Sequence, residues 1–177
     1  MQWVIILFSI LHFVSHPQQE HPFYEQIAFD FYSDVIVDSF PTGKRLRINE
    51  FILDVHPSKV YQDIANCSLS EVASPEYRSK PIYNYASNQL NISGSQFSLD
   101  LTNVDKKKFR VKSNGKGSYP KIQISLPYYH PLDSNVLLVT VYENHSELKS
   151  NLYTLKITTD GEVASWCRDE RKYIRVH

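Results

Sequence analysis

Hydrophobic and polar residues alternate along much of the chain, in short runs separated by turn residues. A period of two is typical of β-strands that bury one face. The run Val136 to Tyr142 is nearly all apolar, which predicts a central strand buried on both faces. The alternating runs that predict strands cover residues 27–37, 46–55, 97–101, 109–111, 122–126 and 153–157.

Turn residues divide these runs. Asn114-Gly115 separates the Phe109 run from the Ile122 run, and Asn-Gly is a strong hairpin signal. Asp160-Gly161 precedes a further run at 163–167 in the same way. Helical signals are short, at residues 58–65 and in a capping box at 68–71, and residues 74–95 predict a long loop. We therefore expect an all-β fold, an antiparallel β-sandwich or barrel-like sandwich of about 7–9 strands with one or two short helices.

The amino terminus indicates secretion. Residues 3–14 are almost entirely apolar, and this run is shorter than the roughly 20 residues that a membrane-spanning helix needs. It suits the apolar core of a signal peptide. We predict a signal peptide over residues 1–19, with cleavage between 15 and 19, followed by a single domain over 20–177. An uncleaved anchor or a buried first strand is the alternative.

An oxidising compartment gives meaning to the cysteines and to the Asn-X-Ser/Thr triplets. The two cysteines, Cys67 and Cys167, predict one intramolecular disulfide, which would close a loop of about 100 residues and stabilise the fold by up to about 4.7 kcal/mol. A pair of free thiols or a disulfide-linked dimer are the alternatives. Asn66, Asn91 and Asn144 are candidate glycosylation sites.

Charge favours no class of partner. Lysine plus arginine and aspartate plus glutamate each number 19 in 177 residues, so any binding of a polyanion requires a local patch. Nucleic acid is not expected as a partner.

Catalytic and metal-binding motifs are absent from the sequence, including the Gly-X-Ser-X-Gly elbow, His-Glu-X-X-His and Cys-X-X-Cys. The histidines have no ligand spacing. Asp30, Asp34 and Asp38 are four residues apart, which would align them on a helix. The alternation around them favours strands and a solvated face instead. We predict no catalysis, cofactor or metal.

One candidate binding surface is cationic. Residues 106–112 read Lys-Lys-Lys-Phe-Arg-Val-Lys, and on a strand Lys106, Lys108, Arg110 and Lys112 would point the same way, roughly 7 Å apart. Such a row suits a polyanion. The alternative is an exposed edge strand whose lysines prevent aggregation.

A second candidate surface is aromatic. Tyr128 and Tyr129 lie between Pro127 and Pro131, which predicts a stiff amphipathic loop suited to protein or sugar contacts. The alternative is that both rings pack over the end of the domain.

These observations favour a secreted glycoprotein that acts as an extracellular binding module, with an extracellular protein or a polyanionic glycan as partner and no transmembrane anchor. Two alternatives stay open. One is a small secreted enzyme whose site assembles only in the fold, for which a pocket with His56 or His130 would speak. The other is a β-barrel that carries a small lipid.

Overall fold

A computed structural model describes residues 23–48, 50, 52–53, 98–112, 119–130 and 132–172. These residues form mostly strands, preceded by one short helical segment. The helical segment (residues 24–39) consists of α1 (Tyr24–Phe31), a π-helical turn (Tyr32–Ile36) and a last α-helical turn, α2 (Val37–Ser39). The strands are β1 (Leu46–Ile48), β2 (Ile52–Leu53), β3 (Phe109–Val111), β4 (Lys121–Ser125), β5 (Tyr128–His130), β6 (Asp133–Asn144), β7 (Lys149–Thr158) and β8 (Val163–Lys172).

The eight strands form one open, mixed sheet. Its order is β3-β1-β4-β6-β7-β8, with β2 also paired to β4 and β5 paired to β6. Strands β4 to β8 pair antiparallel, whereas β1 is parallel to both β3 and β4, and β2 is parallel to β4. The expectation of a β-rich fold is confirmed, but the sheet is not purely antiparallel.

The structure contradicts the hairpin that was expected at Asn114-Gly115. Strand β1 lies between β3 and β4 and is parallel to both, so these two strands are not antiparallel neighbours. Residues 113–118, which connect them, lie outside the described residues. A local turn signal reports where the chain leaves a strand, whereas the partner of that strand is chosen by long-range packing.

The structure also contradicts the strands that were expected over residues 27–37, because these residues belong to the helical segment. The buried residues come in pairs every four positions, beginning with Tyr24-Glu25 and Ala28-Phe29. That spacing marks one face of a helix. Apolar residues in this stretch recur with the period of two that is typical of a strand and also with the period of a helix. Its alternation alone therefore did not distinguish a strand from a helix. The π-helical turn adds a residue to one turn, which keeps the buried stripe facing the sheet.

The core lies between the helical segment and one face of the sheet. Phe29 contacts Phe109 edge to face, with ring centroids 5.4 Å apart, and Tyr32 contacts Tyr153 at the same distance. Aromatic pairs of this geometry add to the free energy that burial provides. The sheet contributes to this core the buried side chains of Leu46, Ile48, Ile122, Ile124, Leu137, Val139, Val141, Leu155 and Ile157.

Two expectations for the central strands are confirmed. Strand β6 is buried on both faces, with Val139 and Val141 on one side and Leu138 and Thr140 on the other. The Asp160-Gly161 turn joins β7 to β8 in an antiparallel pair.

Several expectations fall outside the described residues. They are the signal peptide over residues 1–19, the short helices at 58–65 and 68–71, the long loop at 74–95, and the residues His56, Cys67, Asn66 and Asn91. In the described part of the chain, no helix has both the length and the apolar character needed to cross a bilayer.

Candidate functional site

The expected cationic row along one strand is placed differently by the structure. Strand β3 contains only Phe109–Val111, while Lys106 and Lys108 lie in the preceding turn. The carboxylate of Asp105 accepts a hydrogen bond from the backbone N–H of Lys107 at 2.8 Å, and this contact shapes the turn. Of the four residues in the predicted row, Arg110 alone lies on the strand.

Lys108 is directed back onto the helical segment. Its ammonium lies 2.8 Å from the Asp38 carboxylate and donates a hydrogen bond to the carbonyl oxygen of Ser33 at 3.0 Å. This cation is therefore already neutralised within the fold. Asp30, Asp34 and Asp38 are all exposed along the helical segment, so the solvated face expected for them is confirmed, on a helix rather than on strands.

A different row of cations forms across the strands. Arg47 on β1 is in register with Arg110 on β3 and with Lys121 on β4. Residues in register on neighbouring strands project from the same face of a sheet. We call Arg110, Arg47 and Lys121 the cross-strand row. Arg110 is exposed and the other two are half-buried.

The cross-strand row lies on the face opposite the helical segment. The residues beside Arg47 in β1, Leu46 and Ile48, are buried in the core, and side chains alternate between faces along a strand. Sequence reasoning missed Arg47 as a site residue. The Leu-Arg-Ile alternation indicated its face, but only the tertiary pairing of β1 with β3 and β4 brings it beside Arg110 and Lys121.

Positive charge is concentrated at this edge of the sheet. Residues 44–50 and 105–112, together with Lys121, contain nine of the 19 lysines and arginines and two acidic residues, Glu50 and Asp105. The opposite edge strand, β8, contains three cations and two carboxylates, and both of its arginines are paired: Arg168 with Glu170, and Arg171 with Asp169 at 2.9 Å. Among the described residues of this neutral chain, the β3-β1-β4 edge of the sheet is therefore cationic.

The predicted aromatic loop is a strand in the structure. Tyr128–His130 forms β5 and pairs with β6. Tyr128 is buried, and Tyr129 is half-buried against the core. The structure thus follows the alternative in which both rings pack onto the domain, and it places His130 in the interior as well.

A buried polar cluster, which sequence reasoning also missed, lies between the π-helical turn and β6 and β7. Glu143 is almost fully buried and accepts a hydrogen bond from the Tyr32 hydroxyl at 2.7 Å. His145 Nε2 lies 2.7 Å from the other carboxylate oxygen and 3.0 Å from Asn151 Nδ2. Glu143 lies on β6 and His145 in the connection to β7, two residues apart in the sequence, and this spacing is the signal that the sequence offered.

Burial is the main cause of the raised pKa of both tyrosines beside Glu143, Tyr32 and Tyr153. It raises the pKa of Tyr32 far above the ordinary value, and the neighbouring charge of Glu143 raises it further. Burial, followed by the charge of Glu143, also raises the pKa of Tyr153, against the opposing effect of Arg168. The Tyr32 hydroxyl therefore stays protonated at physiological pH and donates a hydrogen bond to Glu143.

The remaining predicted sites fall on β6 and β8. Asn144 ends β6, is half-buried and donates a hydrogen bond from Nδ2 to Gln123 Oε1 at 3.3 Å. Cys167 lies half-buried on β8. Because Cys67 lies outside the described residues, the disulfide stays a prediction, as does glycosylation at each of the three asparagines.

Comparison with known proteins identifies no relative: no family model, curated protein or solved structure matches the chain. Within the described ranges, no three acidic, histidine or cysteine side chains are grouped so as to hold a metal ion.

Proposed function

We propose that the protein is a secreted extracellular binding module that binds a polyanionic glycan through the cationic edge of its sheet. The observation that carries this proposal is the charge distribution. A chain of zero net charge places nine cations and two acidic residues within residues 44–50 and 105–112 and at Lys121, and one of the nine, Lys108, is paired with Asp38 of the helical segment. Local potential, rather than net charge, attracts a charged ligand and speeds its association.

The shape of the edge favours a thin polymer over a membrane. Arg47 and Lys121 are half-buried, so a single sulfated chain can lie against them more closely than a flat bilayer surface can. Arginine forks also match the geometry of sulfate oxygens. We therefore name a sulfated polysaccharide as the ligand class, with anionic lipid as an outcome to be tested.

The two-layer β-sandwich, the signal peptide over residues 1–19, the disulfide between Cys67 and Cys167, and the glycans belong to the same proposal. Buried side chains on both faces of β6 and β7 support a two-layer arrangement. Secretion is supported by the apolar amino terminus.

The test is binding of the deglycosylated secreted protein to immobilised heparin, and to vesicles of phosphatidylserine in phosphatidylcholine, over a salt series. We expect heparin binding that persists at physiological salt and weakens steadily as salt increases, because screening shortens the range of the interaction. Binding to the vesicles without binding to heparin would reject the glycan, and binding to neither would reject the function.

A second candidate function, hydrolysis by general base catalysis, is favoured by one observation. His145 is half-exposed and its Nε2 lies 2.7 Å from the buried Glu143 carboxylate. A carboxylate in that position orients an imidazole, which is one of the roles that it has in hydrolases.

Hydrolysis of p-nitrophenyl acetate by the wild type and by His145→Gln tests this candidate. If His145 is the base, the variant loses most of the rate, by about a hundredfold, which is the usual contribution of a general base. Equal rates in the two proteins would remove the candidate.

A further inference from the structure

We infer that the glycan crosses the strands rather than following β3, and that the cross-strand row of Arg110, Arg47 and Lys121 holds it. This inference rests on the proposed function and names the groups and the direction of binding. Neighbouring strands are about 4.8 Å apart, so the row places three cations along a line of about 10 Å.

The row is unfavourable in the free protein. Like charges directly opposite one another on adjacent strands repel, and here Arg47 has a cation on each side. Within the described residues, the guanidinium groups of Arg47 and Arg110 make no hydrogen bond or ion pair. The Lys121 ammonium lies 5.5 Å from the centroid of the Tyr119 ring, a contact that leaves its charge in place.

Three of the cations near the cross-strand row are either paired with a carboxylate or located in an exposed turn. Lys108 is neutralised by Asp38, and Lys106 and Lys107 lie in the turn that precedes β3. A ligand whose anionic groups are spaced along a chain would relieve the repulsion within the row. It would gain less from cations that are already paired, or that are held on exposed turns where their side chains are free to move.

The register continues the row into uncharged polar groups. Lys121 is in register with Asn144 on β6, and Asn144 with the buried Ser150 on β7. The half-buried Asn144 amide suits the hydroxyls of a sugar. A glycan attached to Asn144 would therefore adjoin the Lys121 end of the row, which is why the protein is deglycosylated for the measurement.

Two triple variants of equal charge test the inference. The row variant carries Arg47→Gln, Arg110→Gln and Lys121→Gln, and the matched control carries Lys106→Gln, Lys107→Gln and Lys112→Gln. Each removes three positive charges, so any general effect of net charge is the same in both. We expect the row variant to bind heparin at least about tenfold more weakly than the control, with a smaller dependence on salt.

The outcomes separate this inference from the proposed function. Equal losses in the two variants, or a larger loss in the control, would overturn the cross-strand row while leaving a glycan-binding protein. A wild type that does not bind heparin would overturn both. If the row variant fails to fold by circular dichroism, the exposed single changes Arg110→Gln and Lys107→Gln give the same comparison, and equal affinities would again overturn the inference.

Discussion

Glu25 shows how a single buried carboxyl group links stability to pH. It lies in the first turn of α1 and is 4% exposed. Burial raises its pKa from the usual 4.5 to about 7, although a hydrogen bond from its own backbone N–H opposes the shift. The folded protein therefore favours the protonated form, and ionisation of this side chain works against folding.

The sign of the effect follows from the two pKa values. A raised pKa contributes stability that is fully present below pH 4.5 and is lost as pH rises through about 7. The Glu25→Gln variant keeps a neutral side chain of the same size at every pH. We expect it to gain up to about 3 kcal/mol in the free energy of unfolding, relative to the wild type, between pH 4.5 and pH 8.

Urea unfolding of both proteins at the two pH values measures this difference. Glu162→Gln, at an exposed position beyond β7, controls for the loss of a carboxylate in general. A Glu25→Gln variant whose stability followed that of the wild type across the range would contradict the assignment.

At the scale of elements, the β7–β8 hairpin depends on one glycine. Gly161 has a φ of 89°, which is a conformation that residues with a Cβ rarely adopt. Its N–H donates to the carbonyl of Thr158 at 2.9 Å, and the N–H of Thr158 donates to the carbonyl of Glu162 at the same distance. These hydrogen bonds close the turn, and the turn sets the register in which β7 pairs with β8.

Substitution of this glycine tests the importance of the turn. Gly161→Ala should lower the free energy of unfolding by about 1–2 kcal/mol, because alanine is strained at positive φ. The expected fall in melting temperature is about 3–6 °C for a domain of this size. Ser165→Ala, at an exposed position on β8, is the matched control, and equal melting temperatures for the two variants would contradict the argument.

The helical segment joins the core to the buried polar cluster. Its π-helical turn supplies Tyr32, whose ring packs on Tyr153 and whose hydroxyl donates to Glu143. Such turns often occur where a helix must present a particular side chain. Without this hydrogen bond, the buried charge of Glu143 would have one fewer donor to compensate for the loss of water.

At the scale of the whole molecule, zero net charge conceals a strong asymmetry. The β3-β1-β4 edge is cationic, whereas β8 balances its arginines with Glu170 and Asp169. The proposed function and the cross-strand row both depend on this separation of charge. It arises because the fold pairs β1 with β3, and these strands belong to two basic segments, residues 44–48 and 105–112, that are far apart in the sequence.

Strands β4, β6, β7 and β8 were predictable because their signals are local, whereas β5 was expected to be a loop. Strand β6 reads as a continuous apolar run, β7 alternates through Tyr153, Leu155 and Ile157, and Asp160-Gly161 marks the turn to β8. Each of these signals lies within a few residues, and antiparallel neighbours joined by a short turn pair with each other by default.

The other half of the molecule was decided by tertiary packing. The helical segment carries apolar residues on both periods, and the burial of Ala28 and Tyr32 against the sheet selected the helix. The parallel pairing of β1 with β3 and β4 has no local signal, because parallel strands need long connections.

For the candidate sites, too, some features were visible in the sequence and others were decided by tertiary packing. The chain itself showed that residues 106–112 are basic, but it did not single out Glu143 and His145. Only the fold neutralised Lys108 with Asp38, buried Tyr128 and set Arg47 beside Arg110. Sequence determines the local period and the supply of charge, whereas neighbours across a sheet are chosen by the packing of the whole chain, which acts between residues that no local pattern connects.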